Sequence, residues 1–231
     1  MTLRTMATRM ATAITGLTLL FAAIGCTSTT SGKAVAGEEA EAVRSGVTIT
    51  DDGSGVTIGT ADNAVIELFL EPQCPHCGSF IGEYGAEMND HVDDGALTVT
   101  IRPVVFLDSE SNDYSARATN AIFLIAEDDD ATPDLVMGFV EGIYEELLSS
   151  MSPADDDTMA QIANDVGVSA DTVNRIAASD PAIDADEVSE GNLLLMDELG
   201  VPAATPTVWD AVSESDVDID DSFWLDDLVV K

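Results

Sequence analysis

The sequence predicts an α/β fold in which a short central mixed sheet is flanked by helices and interrupted by a helical insertion in mid-chain. Three observations predict it. The run Ala64-Val65-Ile66-Glu67-Leu68-Phe69-Leu70 has the length and apolar content of a buried central strand, and a helical stripe follows it directly. A block of helical patterns then fills the middle of the chain. Strand signals return only after Gly200, and the chain closes on a short amphipathic segment.

Each element has its own reason. Val47-Thr48-Ile49 and Val56-Thr57-Ile58 flank Asp51-Asp52-Gly53-Ser54-Gly55 and form either a short hairpin or two edge strands. Pro72 ends the central strand. Pro75 opens a helix at its first position, where a backbone N–H is not needed. Cys77, Phe80, Ile81, Tyr84 and Met88 are three or four residues apart and give that helix one apolar face. Asp93-Asp94-Gly95 makes a turn. Leu97-Thr98-Val99-Thr100-Ile101 alternates as a strand, which Val104-Val105-Phe106 continues past Pro103. Ala118, Ala121, Ile122 and Ile125 mark the next helix, and Leu135, Phe139, Ile143 and Leu147 another. Met159, Ile162, Ala163 and Val166 mark one more, followed by a short one at Val173 and Ile176. A long helix spans about residues 184–199 and stops at Gly200, so the insertion covers about residues 113–199. Thr205-Pro206-Thr207-Val208-Trp209 starts a strand, Val217-Asp218-Ile219 offers a second, and residues 223–230 read as a terminal helix.

The chain has 231 residues and a net charge of −36, from 44 acidic and 8 basic side chains. Its 45% hydrophobic content is enough to bury a core, which excludes a wholly disordered acidic chain. Such charge argues against nucleic-acid binding, which rests on Lys and Arg neutralising phosphates. It equally argues against docking on anionic lipid through a basic patch. The only lysines are Lys33 and Lys231, and 28 of the acids are Asp. That surface is typical of proteins that work in concentrated salt, although solubility alone also accounts for it.

The first 25 residues read as an export signal. Arg4 and Arg9 precede an apolar run, Ala11 to Gly25, that is shorter than the ~20 residues a spanning helix needs. Ala23-Ile24-Gly25-Cys26 resembles the bacterial lipobox, with Ala where Leu is usual, and implies a lipid on Cys26 and anchoring to the bilayer. An uncleaved anchor, or plain secretion with a chance cysteine, is the other reading. Loss of residues 1–25 removes two arginines and no acid, leaving a charge of −38. Residues 26–45 are small and charged and read as a flexible linker, so the folded domain begins near residue 46.

Cys74-Pro75-His76-Cys77 carries the chemistry. Two cysteines two residues apart, where a buried strand meets a helix, can close a small disulfide ring. The first sulfur lies at the helix N-terminus, where free N–H groups and the helix dipole favour a thiolate. His76 adds a donor, and a positive charge when protonated, beside Cys74. Half a zinc site is the rival reading, but His76, His91 and Cys26 are the only other nitrogen or sulfur ligands, so no metal is expected here. A static disulfide is a second rival, and so small a loop makes a poor staple. His91, near a helix end, reads as a surface or capping residue. Glu67 and Glu71 are the acids nearest the pair in sequence. Glu67 either relays a proton to or from Cys77 or points to a solvated edge.

Phe69-Leu70-Glu71-Pro72-Gln73-Cys74-Pro75-His76-Cys77-Gly78 resembles the active-site stretch of DsbA-like proteins in the thioredoxin superfamily. Cys-Pro-His-Cys is the version associated with oxidising members. Gly200-Val201-Pro202-Ala203-Ala204-Thr205-Pro206-Thr207 resembles the family's Gly-Val-x-Gly-Thr-Pro-Thr loop, with Ala204 in place of Gly. A weaker match runs from Arg102-Pro103 to Phe106-Leu107-Asp108 and on through Tyr114-Ser115-Ala116-Arg117-Ala118. Together these cover about residues 46–231. The resemblance implies a thioredoxin fold and a cis Pro206 facing the redox-active Cys74–Cys77 pair. It also implies client proteins, unfolded or reduced, bound along Thr205 and Pro206, and a membrane redox partner that reoxidises the pair. No cofactor is called for, since the cysteines hold the electrons. The reading is an extracytoplasmic thiol–disulfide oxidoreductase on the outer face of the cell membrane. A reductase or isomerase of the same fold is the alternative, as is a lipoprotein binding module with an inert cysteine pair.

Overall fold

A computed structural model describes residues 46–230. The export signal, Cys26 and the linker lie outside the described residues.

The elements begin with a hairpin, β1 (Val47–Ile49) and β2 (Val56–Ile58), whose strands pair antiparallel. The central strand β3 (Val65–Leu70) leads into helix α1 (Pro75–Asp93) and then β4 (Thr98–Pro103), which lies parallel to β3. Five helices follow: α2 (Tyr114–Ala126), α3 (Pro133–Ser150), α4 (Asp156–Val166), α5 (Ala170–Ala177) and α6 (Ala185–Leu199). The chain returns to the sheet as β5 (Thr207–Asp210) and β6 (Ser215–Asp216) and ends in α7 (Trp224–Val229). The strand order is β1-β2-β4-β3-β5-β6, and only the β3–β4 pair is parallel. Parallel neighbours need a crossover, and α1 supplies it.

Two apolar layers sandwich the sheet. Ile66, Leu68 and Leu70 of β3 join Cys77, Ile81 and Met88 of α1 in the larger core, which extends into α2–α5. Phe69 points the other way, into a smaller core with Val104, Met196 and Val201 under α6. The period-2 alternation of a strand serves both layers at once. On α1 the predicted stripe is buried as expected, with Val92 added at its end. Helix α3 packs along α1. Gly78 permits that approach: a Cβ there would come within 3.1 Å of the Leu148 side chain.

Local chemistry sets the helix ends. Side chains of Thr132, Asp155, Ser169 and Asp184 accept backbone N–H bonds at the starts of α3, α4, α5 and α6. Gly200, at φ 73°, closes α6 in the left-handed conformation that favours glycine. Helix α1 differs: its N-cap is Cys74 and no side-chain oxygen caps it.

Two strand expectations fail at their edges. Val104 still donates to Leu70 O at 2.8 Å, but Val105 N turns away to Ser189 Oγ of α6, also at 2.8 Å, so β4 ends at Pro103. The last strand is Ser215–Asp216, ahead of Val217-Asp218-Ile219. The Asp210 carboxylate accepts from Val212 N, Ser213 N and Ser213 Oγ and folds a tight turn that starts the return early.

Candidate active site

The site lies where β3 hands over to α1 and where the loop after α6 returns to the sheet. Cys74 is only 8% exposed and Cys77 is fully buried; both are free thiols. The Thr205–Pro206 peptide bond is cis, and the Cys74 thiol donates to Thr205 O at 3.5 Å. Residues 131 positions apart in sequence thus meet through the sheet pairing of β3 with β5.

The two sulfurs differ sharply. The Cys74 thiol is pulled down to about 5, first by a hydrogen bond from the Cys77 thiol and, against burial, by the backbone N–H groups of Cys77 and His76. Those amides are the second and third of α1, the ones a capping side chain normally satisfies. Sulfur stands where a side-chain oxygen caps α3, α4, α5 and α6, and a thiolate is the better acceptor. Burial pushes the Cys77 thiol far above its usual range, and the hydrogen bond to Cys74 and the negative charge there push it further. The pair therefore holds one ready thiolate and one protonated thiol.

His76 is exposed, and its backbone N–H is among the groups that lower the Cys74 thiol. Glu67 is placed otherwise than expected. Its carboxylate accepts from Arg102 Nε at 2.7 Å, and the same guanidinium bonds Asp52 at 2.8 Å. It is neither beside Cys77 nor at a solvated edge: Phe69 pairs with Arg102 across β3 and β4, which brings the guanidinium to Glu67.

Glu71 is the acid at the pair. It is fully buried and is raised to about 7, by burial first and also by the charge of Cys74. Neutral donors oppose this: Ser115 Oγ to Oε1, and Gln73 N to Oε2 at 2.7 Å. Its main chain touches the Cys77 sulfur, and its carbonyl accepts from Tyr144 OH at 3.1 Å. A polar net fixes the segment. Gln73 Nε2 donates to Asp108 Oδ1 at 2.7 Å and Ser115 Oγ at 2.9 Å, and Asn112 Nδ2 donates to Gln73 Oε1. Asp108 in turn accepts from Ser115 N and Ala116 N at the start of α2. Sequence pattern did not assign these residues, since their partners lie some 35 to 44 positions away. The signal available was an acid at the end of an apolar strand, three residues before the first cysteine.

Two concave surfaces border the site. One, between α1 and α3, is lined by Gly78, Ile81, Tyr144 and Leu148. The other adjoins Pro206 and is lined by Thr207, Val208, Asp216 and Asp218.

A family model described as thioredoxin matches residues 51–209, more than half of the chain and including both cysteines and Pro206. The chain belongs to the thioredoxin family. Five helices are inserted between β4 and β5. MdbA, a thiol-disulfide oxidoreductase from Corynebacterium diphtheriae, superposes with a TM-score of 0.65 at 18% identity, over 79% of this chain and 93% of that one. Reduced DsbA from Mycobacterium tuberculosis superposes with a TM-score of 0.54 at 23% identity, over 72% and 85% of the two chains. In sequence, the serine/threonine-protein kinase PknE of Mycobacterium tuberculosis is 30% identical over 189 residues. That match takes in 76% of this chain, which spans about a third (31%) of the kinase's length. Most of the kinase is therefore unmatched, and its phosphoryl-transfer activity is no guide here. Among the described residues no helix is long and apolar enough to cross a membrane.

Proposed function

We propose that this thioredoxin-family protein is an extracytoplasmic thiol–disulfide oxidoreductase that oxidises client proteins. The observation that carries the reading is the division of the pair: a Cys74 thiol drawn down to about 5 beside cis Pro206, and a buried Cys77 held protonated. A stable thiolate in the dithiol form makes the disulfide form a strong oxidant.

The cycle starts from the Cys74–Cys77 disulfide. A client thiolate attacks Cys74 Sγ; the Cys74–Cys77 bond breaks as a client–Cys74 bond forms, and Cys77 leaves with the electron pair. Glu71, poised to hold or give a proton near neutrality, replaces Glu67 as the group that protonates Cys77. A second client thiolate then attacks the client sulfur of the mixed disulfide. Cys74 departs as its stable thiolate, two client thiols have become one disulfide, and the protein holds both electrons as a dithiol. The client chain lies along Thr205 as an added strand. A membrane redox partner reoxidises the pair, and the lipid on Cys26 keeps the protein at the outer face of the membrane, where such a partner resides.

The test is equilibration of the pair with glutathione. The reading expects a potential close to the strongly oxidising end, about −120 mV, and a value near the −270 mV of thioredoxin would make the protein a reductase instead. Capture of client mixed disulfides on Cys77→Ala, with none on Cys74→Ser, checks that the pair turns over and is no inert staple.

A further inference from the structure

Far from the cysteines, at the other end of α1, three side chains converge with no role in the redox reaction. Glu87 and His91 are four residues apart on α1 and so share one face. Asp226 comes from the first turn of α7. One donor atom from each lies within 4.8 Å of the other two.

The geometry points to a divalent-cation site formed by Glu87, His91 and Asp226, which ties α7 to the active-site helix. His91 Nε2 is cut off from solvent and has no hydrogen-bond partner. Buried polar atoms are nearly always satisfied, and an ion is one of the few explanations for an exception. Glu87 Oε1 stands 3.9 Å from that nitrogen, too far for a hydrogen bond. It is close to the separation of two ligands that share one metal at about 2.0–2.2 Å each.

The third ligand is held in place independently of any ion. Trp224, two residues before Asp226, stacks on Phe80 at 5.8 Å and meets Tyr84 edge-on at 5.4 Å. The Trp224 ring is buried, so α7 is seated on α1 before a metal arrives. The His91 main chain is fixed too, since its carbonyl accepts from Ala96 N and Leu97 N. An imidazole with two carboxylates suits zinc or manganese better than calcium or magnesium, which favour all-oxygen sets. Two carboxylates balance the charge of the ion, and three protein ligands leave a position for water.

Spacing could not reveal this cluster, because Asp226 lies 135 positions beyond His91 and is one acid among many. A chain at −36 also attracts cations diffusely, so the experiment must separate a site from an atmosphere. The full chain is used with Cys74 and Cys77 locked as a disulfide, which removes the thiols as competing ligands. Zinc is titrated at constant ionic strength while the melting temperature is followed, with magnesium as the control. The site predicts one zinc per chain and a rise of about 5 °C or more at a hundredfold excess over Kd. His91→Gln and Glu87→Gln should each weaken zinc binding about tenfold or more and abolish most of that rise. Both side chains are partly exposed, so neither variant threatens the fold. Cobalt bound in place of zinc should show ligand-field bands without a thiolate charge-transfer band. An equal rise with magnesium, an unchanged rise in the two variants, or no rise at all would each overturn the proposal.

Discussion

Glu67 and Glu71 stand four residues apart, Glu67 within β3 and Glu71 just past its end, and their surroundings give them opposite characters. Glu67 has a cation: Arg102 holds it at 2.7 Å and also bonds Asp52, so its charge is compensated. Glu71 is fully buried among neutral donors, Ser115 and Gln73, and next to a thiolate, and burial lifts it to about 7. The first arrangement ties the β1–β2 hairpin to the sheet. The second leaves a proton free to move at the redox pair. A buried carboxyl from which the fold withholds a counter-ion keeps its proton to near neutrality.

Four substitutions sharpen or break that contrast. The largest effect belongs to the pair itself: Cys74→Ser should abolish client oxidation outright, whatever Glu71 does, in a reduced-client refolding assay. Next comes Arg102→Met, which leaves the partly buried Glu67 without its cation. It should cost about 2 kcal/mol in urea unfolding and leave the pH dependence of client oxidation unchanged. A shifted pH profile would mean the two sites are coupled.

Glu71→Gln should do the reverse. Oxidation at neutral pH should slow by about tenfold to a hundredfold, and an inflection near pH 7 should vanish from the rate profile. Stability supplies a second readout. Glu71 titrates at about 7 in the fold against 4.5 ordinarily, so the native state keeps a proton that the unfolded chain gives up. Stability should fall as pH rises through that window, by up to about 3 kcal/mol, and Glu71→Gln should flatten the fall. The smallest effect is expected from His76→Ala. His76 acts on Cys74 through its backbone N–H, which alanine keeps, so the Cys74 thiol should move by about one unit or less. A larger rise would return the imidazole to the site.

The legible part of the molecule was its local part. Pro75 at the first turn of α1, the Cys77 to Met88 stripe and Gly200 beyond α6 are signals within a few residues, and the structure has each in place. The cysteine pair and Thr205-Pro206 were legible as motifs. From sequence alone Glu67, one of the two acids nearest the pair, is either a relay to Cys77 or a residue at a solvated edge. Its true partner, Arg102, is brought beside it only by the parallel register of β3 and β4. The character of Glu71 likewise depends on Ser115, 44 positions on, which the start of α2 delivers. The early return of β6 turns on the Asp210 carboxylate bonding its own turn, which an apolar pattern at Val217 and Ile219 cannot reveal.

The claim that organises the site is that one fold splits two neighbouring thiols. Titration of the reduced protein by thiolate ultraviolet absorbance tests it directly. A single thiolate should ionise near pH 5, assigned to Cys74 by selective alkylation in acid, with Cys77 still protonated above its ordinary range. Two thiols ionising together at about 8.5, the value of an unperturbed cysteine, would contradict the account.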